Sequence, residues 1–162
     1  MKWPSWRKYD IKKNNEVYLR RYFIWRCRWF SIFLHNIRKP DDDRDPHDHP
    51  WGFLGIVLRG GYIEERWHVV RHVVLDDPRL EALLHSDTEE RNAGTIAYRK
   101  ATDIHKIIYV RPNTWTLIFV GPKQEREWGF WRLEPSAYSC TWAQWVYWRK
   151  YLSMWDTTTE ID

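Results

Sequence analysis

The feature that most constrains the fold is a series of short β-branched and aromatic segments, which glycine and proline residues separate at nearly even spacing. Segments of this composition are typical of β-strands, and the residues between them are typical of turns. Gly60-Gly61 and Gly121-Pro122 mark two of these turns. The pattern predicts an all-β protein, either a sandwich or a small barrel.

No shift in composition divides the chain, so we expect a single domain over residues 1–162. Residues 1–14 are basic and predict an N-terminal arm, and residues 15–25 fit either a short helix or a strand. Leu80 to Leu84 suggests a helical turn within an insertion, and apolar residues at helical spacing predict a C-terminal helix over 141–155. Strands are predicted over 28–38, 47–58, 62–75, 95–98, 105–110, 115–120 and 127–133.

Composition and charge narrow the class of protein. The chain has 162 residues, of which 43% are hydrophobic and 30% charged, and this composition excludes a disordered or low-complexity protein. The net charge is +4 and no nucleic-acid recognition motif accompanies it, so a nucleic acid is not expected as a partner. The arginines and aromatic rings between Arg20 and Trp29 also fit a solvated edge on which arginine stems cover apolar rings.

Cysteine usage and the N-terminal residues bear on the compartment. Cys27 and Cys140 are far apart and form no CxxC pair, which excludes a disulfide framework and a zinc knuckle. Met1 to Pro4 begins no apolar signal segment, and no apolar run reaches the roughly 18 residues that cross a bilayer. We therefore expect a soluble cytoplasmic protein with no membrane partner.

The strongest chemical signal is the tripeptide His47-Asp48-His49. On a strand, alternate side chains share a face, so His47 and His49 point the same way and Asp48 points the opposite way. Two imidazoles on one face are a ready pair of ligands for a metal ion. The alternative is that both histidines are solvated loop residues.

Two segments resemble the two sequence motifs of the cupin superfamily. Residues 47–61 match the spacing of the first motif, an H-x-H followed by a glycine, and residues 94–105 match the spacing of the second, from a glycine to His105. The asparagine that follows in the family falls here on Tyr109. The resemblance implies a double-stranded β-helix barrel, or jelly roll, which agrees with the predicted strands and leaves short helical segments to the chain ends.

The resemblance also implies a metal site, with one departure from the family. The usual cupin site has three histidines and one glutamate, but the glutamate position here holds Phe53 or Leu54. His47, His49 and His105 remain as the implied ligands of a divalent transition metal. Three neutral imidazoles leave the charge of such an ion uncompensated, and this favours an anionic ligand.

Within the cupins, the segment His47-Asp48-His49-Pro50 resembles the start of the first motif of the thiol dioxygenases, whose iron is held by three histidines. This resemblance implies Fe(II) as the cofactor, with Zn, Ni and Mn as alternatives, and dioxygenation of a small anionic or thiol substrate as the reaction. A non-enzymatic module that binds a ligand or a partner protein stays open, as does a metal-assisted sugar isomerase or epimerase. Cupins are often dimers, so a homodimer is a further expectation.

Several residues near the motifs are further candidates for the site. Asp103 precedes the third histidine by two residues and can act as a fourth ligand, an orienting group or a base. Tyr98 can donate a hydrogen bond to substrate or oxygen, and Arg44 or Arg59 can bind a substrate carboxylate. Trp51 follows the H-D-H-P segment directly and is expected to form a wall of the metal pocket. The alternatives are a solvated loop acid, core aromatics and surface arginines.

The 13 tryptophans are the most unusual feature of the composition. They lie on predicted strands and at both chain ends, and the aromatic C-terminal part resembles small uncharacterised cupin-like proteins, some of them encoded by phages. A small barrel has two open ends, and bulky terminal segments packed across them would bury such rings. We therefore predict that most tryptophan rings are buried and that few face the metal.

Overall fold

The computed structural model describes residues 7–13, 16–41, 45–74, 80–134 and 140–155. These residues form eleven β-strands and one α-helix. The elements are β1 (Lys8–Lys13), β2 (Glu16–Arg26), β3 (Ser31–Ile37), β4 (Phe53–Arg59), β5 (Gly61–Val74), β6 (Leu80–Asn92), β7 (Ile96–Arg99), β8 (Ile104–Val110), β9 (Thr114–Val120), β10 (Gly129–Leu133), β11 (Cys140–Tyr147) and α1 (Trp148–Trp155).

The strands form two antiparallel sheets. The first sheet has six strands in the order β1-β2-β3-β9-β4-β7, and the second has five in the order β10-β11-β6-β5-β8. Strands that are distant in the chain are neighbours in both sheets, as in a jelly roll. Burial alternates as the predicted pattern requires, since Thr114 and Thr116 on β9 are 0% and 2% exposed while Trp115 between them is only half-buried. The all-β prediction is confirmed.

The segment that contains the H-D-H tripeptide joins the two edges of the second sheet. His47 forms β-bridges with His105 on β8 and with Phe130 on β10. The His47 and His105 backbones exchange two hydrogen bonds of 3.0 Å, and the Trp131 N–H donates to the Pro46 carbonyl at 2.7 Å. This short segment therefore completes a nearly closed barrel, and its histidines lie in the barrel wall.

Buried apolar residues form two clusters. The first belongs to strands of the second sheet and consists of Ala82, Leu84, Ile104, Trp131 and Ala143. The second joins α1 to β10 and β11: Tyr151 of the helix stacks on Phe130 with ring centroids 4.0 Å apart, and Val146 completes the group. The Tyr151 hydroxyl donates to the Asp45 carboxylate at 2.9 Å. Because the Phe130 ring also contacts the His47 ring at 5.4 Å, the helix supports the H-D-H segment.

Three predicted elements differ from the structure. Leu80 to Leu84 begins the 13-residue strand β6 and is not a helical turn. Residues 141–147 of the predicted C-terminal helix belong to strand β11, and helix covers only Trp148–Trp155. Residues 8–13 of the predicted arm form β1, while residues 1–6 lie outside the described residues. In each case sheet pairing overrides weak local preference, because the backbone groups find partners in a neighbouring strand.

The turn between β4 and β5 requires glycine at Gly60. Its φ is +70°, and a Cβ atom there would lie 2.6 Å from Thr114 Oγ1 and 2.8 Å from Thr114 Cα. The Gly61 N–H donates to the same hydroxyl at 3.0 Å. At this closely packed turn the chain passes from β4 of the first sheet to β5 of the second. Within the described ranges, no helix is long and apolar enough to cross a membrane.

The prediction that most tryptophan rings are buried is wrong. Of the tryptophans whose side chains are described, only Trp131 is buried, at 4% exposure, while Trp25, Trp29 and Trp142 are 53%, 67% and 41% exposed. Ile96 and Tyr98 on β7 are likewise 63% and 61% exposed. The physical reason is that α1, the single described helix, packs against β10 and β11, so none of the described helical surface covers the first sheet.

Candidate metal centre

His47, His49 and His105 converge at one point of the barrel. Their potential ligand atoms all lie within 4.8 Å of one another. The Nε2 atoms of His49 and His105 are 2.8 Å apart, and the ring centroids are 5.0 to 5.1 Å apart. Among the described residues, this is the one group of three histidine, cysteine or carboxylate side chains that converges in this way. The fold thus brings the two motif segments together.

Asp48 fixes the segment that carries the first two histidines. Its carboxylate is 2% exposed and accepts hydrogen bonds of 2.9 Å from the Gly129 N–H and from Arg126 Nη2. Arg126 Nη1 donates to the backbone carbonyls of His49, at 2.6 Å, and Ala101, at 2.9 Å. Burial raises the pKa of Asp48, against the opposing effect of Arg126 and the Gly129 N–H. Asp48 therefore points away from the histidines, as the strand alternation predicted, and anchors their backbone.

Glu64 orients the third histidine. His105 is 8% exposed on β8, and its Nδ1 lies 2.8 Å from Glu64 Oε1 on the neighbouring strand β5. A carboxylate cannot donate, so Nδ1 carries the proton of this hydrogen bond. In the neutral ring, Nε2 is then left as a lone-pair donor toward His47 and His49. This is the arrangement by which a carboxylate orients a metal-binding imidazole and makes it more basic.

Two arginines hold Glu64 in its ionised form. The Glu64 side chain is 3% exposed, and it accepts hydrogen bonds from Arg99 Nε at 3.1 Å and Arg91 Nε at 3.3 Å. Arg99 Nη2 contacts the second carboxylate oxygen. Burial alone would raise the pKa of Glu64, but the hydrogen bonds from His105 and Arg99, together with the charge of Arg99, hold it well below the usual range. Glu64 is therefore ionised behind His105, with its charge balanced by the two arginines.

His49 is held as a neutral imidazole. Burial lowers its pKa well below the ordinary value, because the charged ring would lose its water, and the nearby charges of Arg21 and Arg126 act in the same direction. The neutral ring is the form that binds a metal ion.

Aromatic rings surround the cluster. Phe53, at a position where the family resemblance places glutamate, meets His49 edge-on at 5.4 Å and lies 6.0 Å from His105. Trp51 and Trp128 are stacked beside His49 with centroids 6.5 and 6.4 Å away. Trp51 thus lies where a wall residue was expected, and Trp128 joins it.

The remaining predicted site residues lie outside the cluster. Asp103 is in the turn before β8, where its carboxylate accepts a hydrogen bond from the Lys100 N–H at 2.9 Å. Tyr98 is 61% exposed and lies on the opposite face of β7 from Arg99, so it points away from the histidines. It lines an open apolar cleft of 530 Å³. Arg59 is exposed at the end of β4, and Arg44 lies outside the described residues.

Glu64 and Arg126 were not predicted as site residues from the sequence. Glu64 lies outside both motif segments, on a strand whose alternation marks no clear inner face. Its role follows from pairing, because β5 and β8 place Glu64 opposite Ile107, two residues from His105. Arg126 acts across 78 residues of sequence on Asp48. No local signal separates Glu64 from its neighbour Glu65, since both acids follow the Gly60-Gly61 turn on a strand of poor alternation.

The donor set fits a divalent metal ion. Metal–imidazole bonds are about 2.0–2.1 Å long, so nitrogens that share an ion lie roughly 3–4 Å apart, close to the spacing of these three donors. His49 is a neutral imidazole, and His105 has the carboxylate partner typical of metal-binding histidines. His47, His49 and His105 could together hold one metal ion.

Comparison with known proteins identifies the fold. No protein-family model and no curated protein matches the chain. Among solved structures, HppE in its Fe(II) form matches with a TM-score of 0.51 at 12% sequence identity, over 72% of this chain and 56% of that chain. An RmlC-like cupin from Shewanella frigidimarina matches with a TM-score of 0.47 at 15% identity, over 74% of this chain and 86% of that chain. The chain has a cupin fold.

KdgF from a Halomonas species matches with a TM-score of 0.46 at 13% identity, over 70% of this chain and 86% of that chain. At these identities the likeness is one of fold. The three histidines are therefore assigned from the geometry of this chain itself: two lie on the segment before β4 and one on β8.

Proposed function

We propose that this cupin is a metal-dependent enzyme in which His47, His49 and His105 hold Fe(II), and that it oxygenates a small anionic or thiol substrate. The observation that carries the proposal is the convergence of three imidazoles, one of them backed by the buried carboxylate of Glu64. A divalent ion held by neutral ligands would supply Lewis acidity and, as Fe(II), electrons for the reduction of dioxygen. The Fe(II) form of HppE, which shares the fold, supports iron as the first metal to test.

The protein's own groups would prepare this centre in three ways. Glu64 would keep the His105 lone pair directed at the ion, and Asp48 with Arg126 would fix the backbone of His49. Phe53 and the neighbouring tryptophans would exclude water from one side, which strengthens electrostatic interactions with a bound substrate. With three neutral ligands on the ion, an anionic substrate donor is favoured over a neutral one.

Metal content tests the centre directly. The protein is purified without oxygen, and bound metals are measured for wild type, His47→Ala and His68→Ala. His68 is the matched control, because it is half-exposed and pairs with Asp87 on the long β5–β6 hairpin. We expect about one metal ion per chain in wild type and in the control, and loss of most of it in His47→Ala. Metal content that is unchanged in His47→Ala would refute the centre.

The reaction class is tested with the Fe(II)-loaded protein. Oxygen consumption that requires His47 and also requires an added thiol or carboxylate substrate would support the oxygenase. Sugar epimerisation without oxygen uptake would instead favour the isomerase. Absence of bound metal, with histidines that titrate freely, would favour the binding module. The expected homodimer stays a prediction, and light scattering tests it.

A further inference from the structure

An open apolar cleft lies at one end of the first sheet. Its volume is 530 Å³, a size typical of small-molecule sites. Four of the residues that line it form a row of direct pairs across the sheet, namely Ile32 on β3, Phe119 on β9, Leu54 on β4 and Tyr98 on β7. Directly paired residues share a face of the sheet, and Tyr98 is 61% exposed. The cleft therefore opens to solvent on the outer side of the first sheet.

The cleft also reaches the end of the sheet beside the metal centre. Phe53 and Val120 pair directly and line the cleft, although strand alternation turns their row away from that of Leu54. Because it contacts both rows, the cleft lies at the ends of β4 and β9. The ring of Phe53 meets His49 edge-on at 5.4 Å and lies 6.0 Å from His105. One side chain thus borders both the cleft and two of the three histidines.

The segment that follows His49 forms one wall of the cleft. Gly52 is part of this wall, and a Cβ atom there would lie 2.9 Å from the Tyr98 hydroxyl oxygen. The missing side chain leaves room for the tyrosine beside the backbone that leads to Phe53. From the loop after β9, the Gly121 N–H donates to the Gly52 carbonyl at 2.9 Å. These contacts fix the wall of the cleft to the same short segment that positions His49.

The chemistry of the lining favours an uncharged hydrocarbon group. None of the described residues that line the cleft carries a charge, and the polar side chains among them are Tyr98 and Gln124. Such a surface gains free energy when hydrocarbon displaces its water, and it disfavours a charge that would lose its own hydration. Phe53 extends this apolar surface to the histidines, at a position where the family resemblance places glutamate. The centre therefore has the carboxylate of Glu64 behind His105 and an apolar ring toward the cleft.

We propose that this cleft binds the apolar chain or ring of the substrate, while the thiol or anionic head of the same molecule reaches the metal past Phe53. The inference rests on the proposed function, since it assigns the part of the substrate that the metal does not hold. The substrate class is an amphiphile with one metal-binding head and an uncharged hydrocarbon part. Tyr98 then determines specificity as a wall of the cleft and takes no part in the chemical step.

The test uses the full chain loaded with Co(II), whose visible absorption changes when a thiolate binds the ion. Ethanethiol, propanethiol, butanethiol and pentanethiol share one head and differ only in chain length. We expect each added methylene to tighten binding to wild type by about two- to fourfold, because full burial of a methylene corresponds to about fourfold and the cleft is open on one side. Pentanethiol should therefore bind roughly 10- to 60-fold more tightly than ethanethiol.

Two substitutions in the cleft and one matched control locate the hydrocarbon chain. Tyr98→Asp places a charge against the chain and Leu54→Trp fills the cleft with a ring, so both should reduce the dependence to less than about 1.5-fold per methylene. Ile96→Asp is the control and should keep the wild-type dependence. Ile96 lies two residues from Tyr98 on the same face of β7, has a similar exposure of 63%, and does not line the cleft. The Co(II) spectrum without thiol checks that each variant retains the centre.

The outcomes separate this inference from the metal proposal. Full chain-length dependence in either cleft variant, or none in a wild type that binds Co(II), would overturn it. An equal loss in Ile96→Asp would also overturn it, because the chain would then lie elsewhere on the outer face. If wild type binds no Co(II), the metal proposal fails, and the Ile32 and Leu54 methyl resonances of the metal-free protein are followed during titration with 1-pentanol and with ethanol. Saturable shifts with pentanol that Tyr98→Asp abolishes would uphold the cleft, and shifts that are absent or unaffected by Tyr98→Asp would overturn it.

Discussion

Replacing Glu64 by glutamine should destabilise the fold and weaken the metal centre together. The carboxylate is 3% exposed and accepts hydrogen bonds from His105 Nδ1 at 2.8 Å, Arg99 Nε at 3.1 Å and Arg91 Nε at 3.3 Å. Glutamine has nearly the same size but only one acceptor oxygen, and its NH₂ group faces cationic donors. Arg99, 7% exposed, would lose its carboxylate partner.

The magnitude follows from the cost of leaving a charge buried without its partner. Breaking a buried ion pair in this way costs about 3–5 kcal/mol in unfolding free energy. For a domain of this size, about 2–4 °C of melting temperature corresponds to each kcal/mol, so Tm should fall by roughly 6–20 °C. Loss of the group that orients a metal ligand lowers metal affinity by about 10–100-fold.

The assay compares Glu64→Gln with Glu90→Gln by urea and thermal unfolding and by Co(II) titration. Glu90 is the matched control, because its side chain is 50% exposed and pairs with Arg111 at the surface, a contact expected to contribute about 0–1 kcal/mol. Because the pKa of Glu64 is depressed, its contribution is complete above the ordinary value of 4.5 and is lost as the pH falls through the folded-state pKa. A Glu64→Gln protein within 1 kcal/mol of wild type at pH 7, with unchanged Co(II) affinity, would refute this account.

Three further substitutions test other parts of the account. Arg126→Met leaves Asp48 buried without its cation, so we expect a loss of about 3–5 kcal/mol by urea unfolding, and a change below 1 kcal/mol would contradict the anchoring role. His35 has a folded pKa of about 3 against 6.5 in the unfolded chain, so below pH 6.5 the unfolded state binds a proton that the folded state does not. Wild-type stability should therefore fall with decreasing pH between about 6.5 and 3, by up to about 1.4 kcal/mol per pH unit, and His35→Gln should remove this part of the slope. Gly60→Ala should cost at least about 1 kcal/mol in thermal unfolding, because a Cβ at φ +70° would meet Thr114, and an unchanged Tm would show that the turn adapts.

The sequence was most informative where a structural preference is local. Glycine and proline end strands by their own backbone preferences, so most strand positions and the all-β class could be predicted from the residues alone. The same holds for His47 and His49, since alternation along a strand puts them on one face whatever the rest of the chain does. His105 could be added only through the resemblance to the second cupin motif, because 56 residues separate it from His49.

Other features depend on partners that are distant in the chain. Residues 80–84 and 140–147 have local patterns that fit a helix, but β6 and β11 become strands because each finds neighbours on both sides. The tryptophan count likewise led to a wrong prediction of burial. A ring is buried only if another element covers it, and Trp25 and Trp29 remain exposed.

By itself, then, the sequence determined most of the β-strands, the turns and the pair His47 and His49, because those depend on backbone preference and on spacing within short segments. The tertiary structure decided which polar groups act on these histidines. It placed Glu64 behind His105, Arg126 on Asp48 and Arg21 on His35. Hydrogen bonds and charges act over a few ångströms of space and not along the sequence, so only the folded arrangement of strands could determine these contacts.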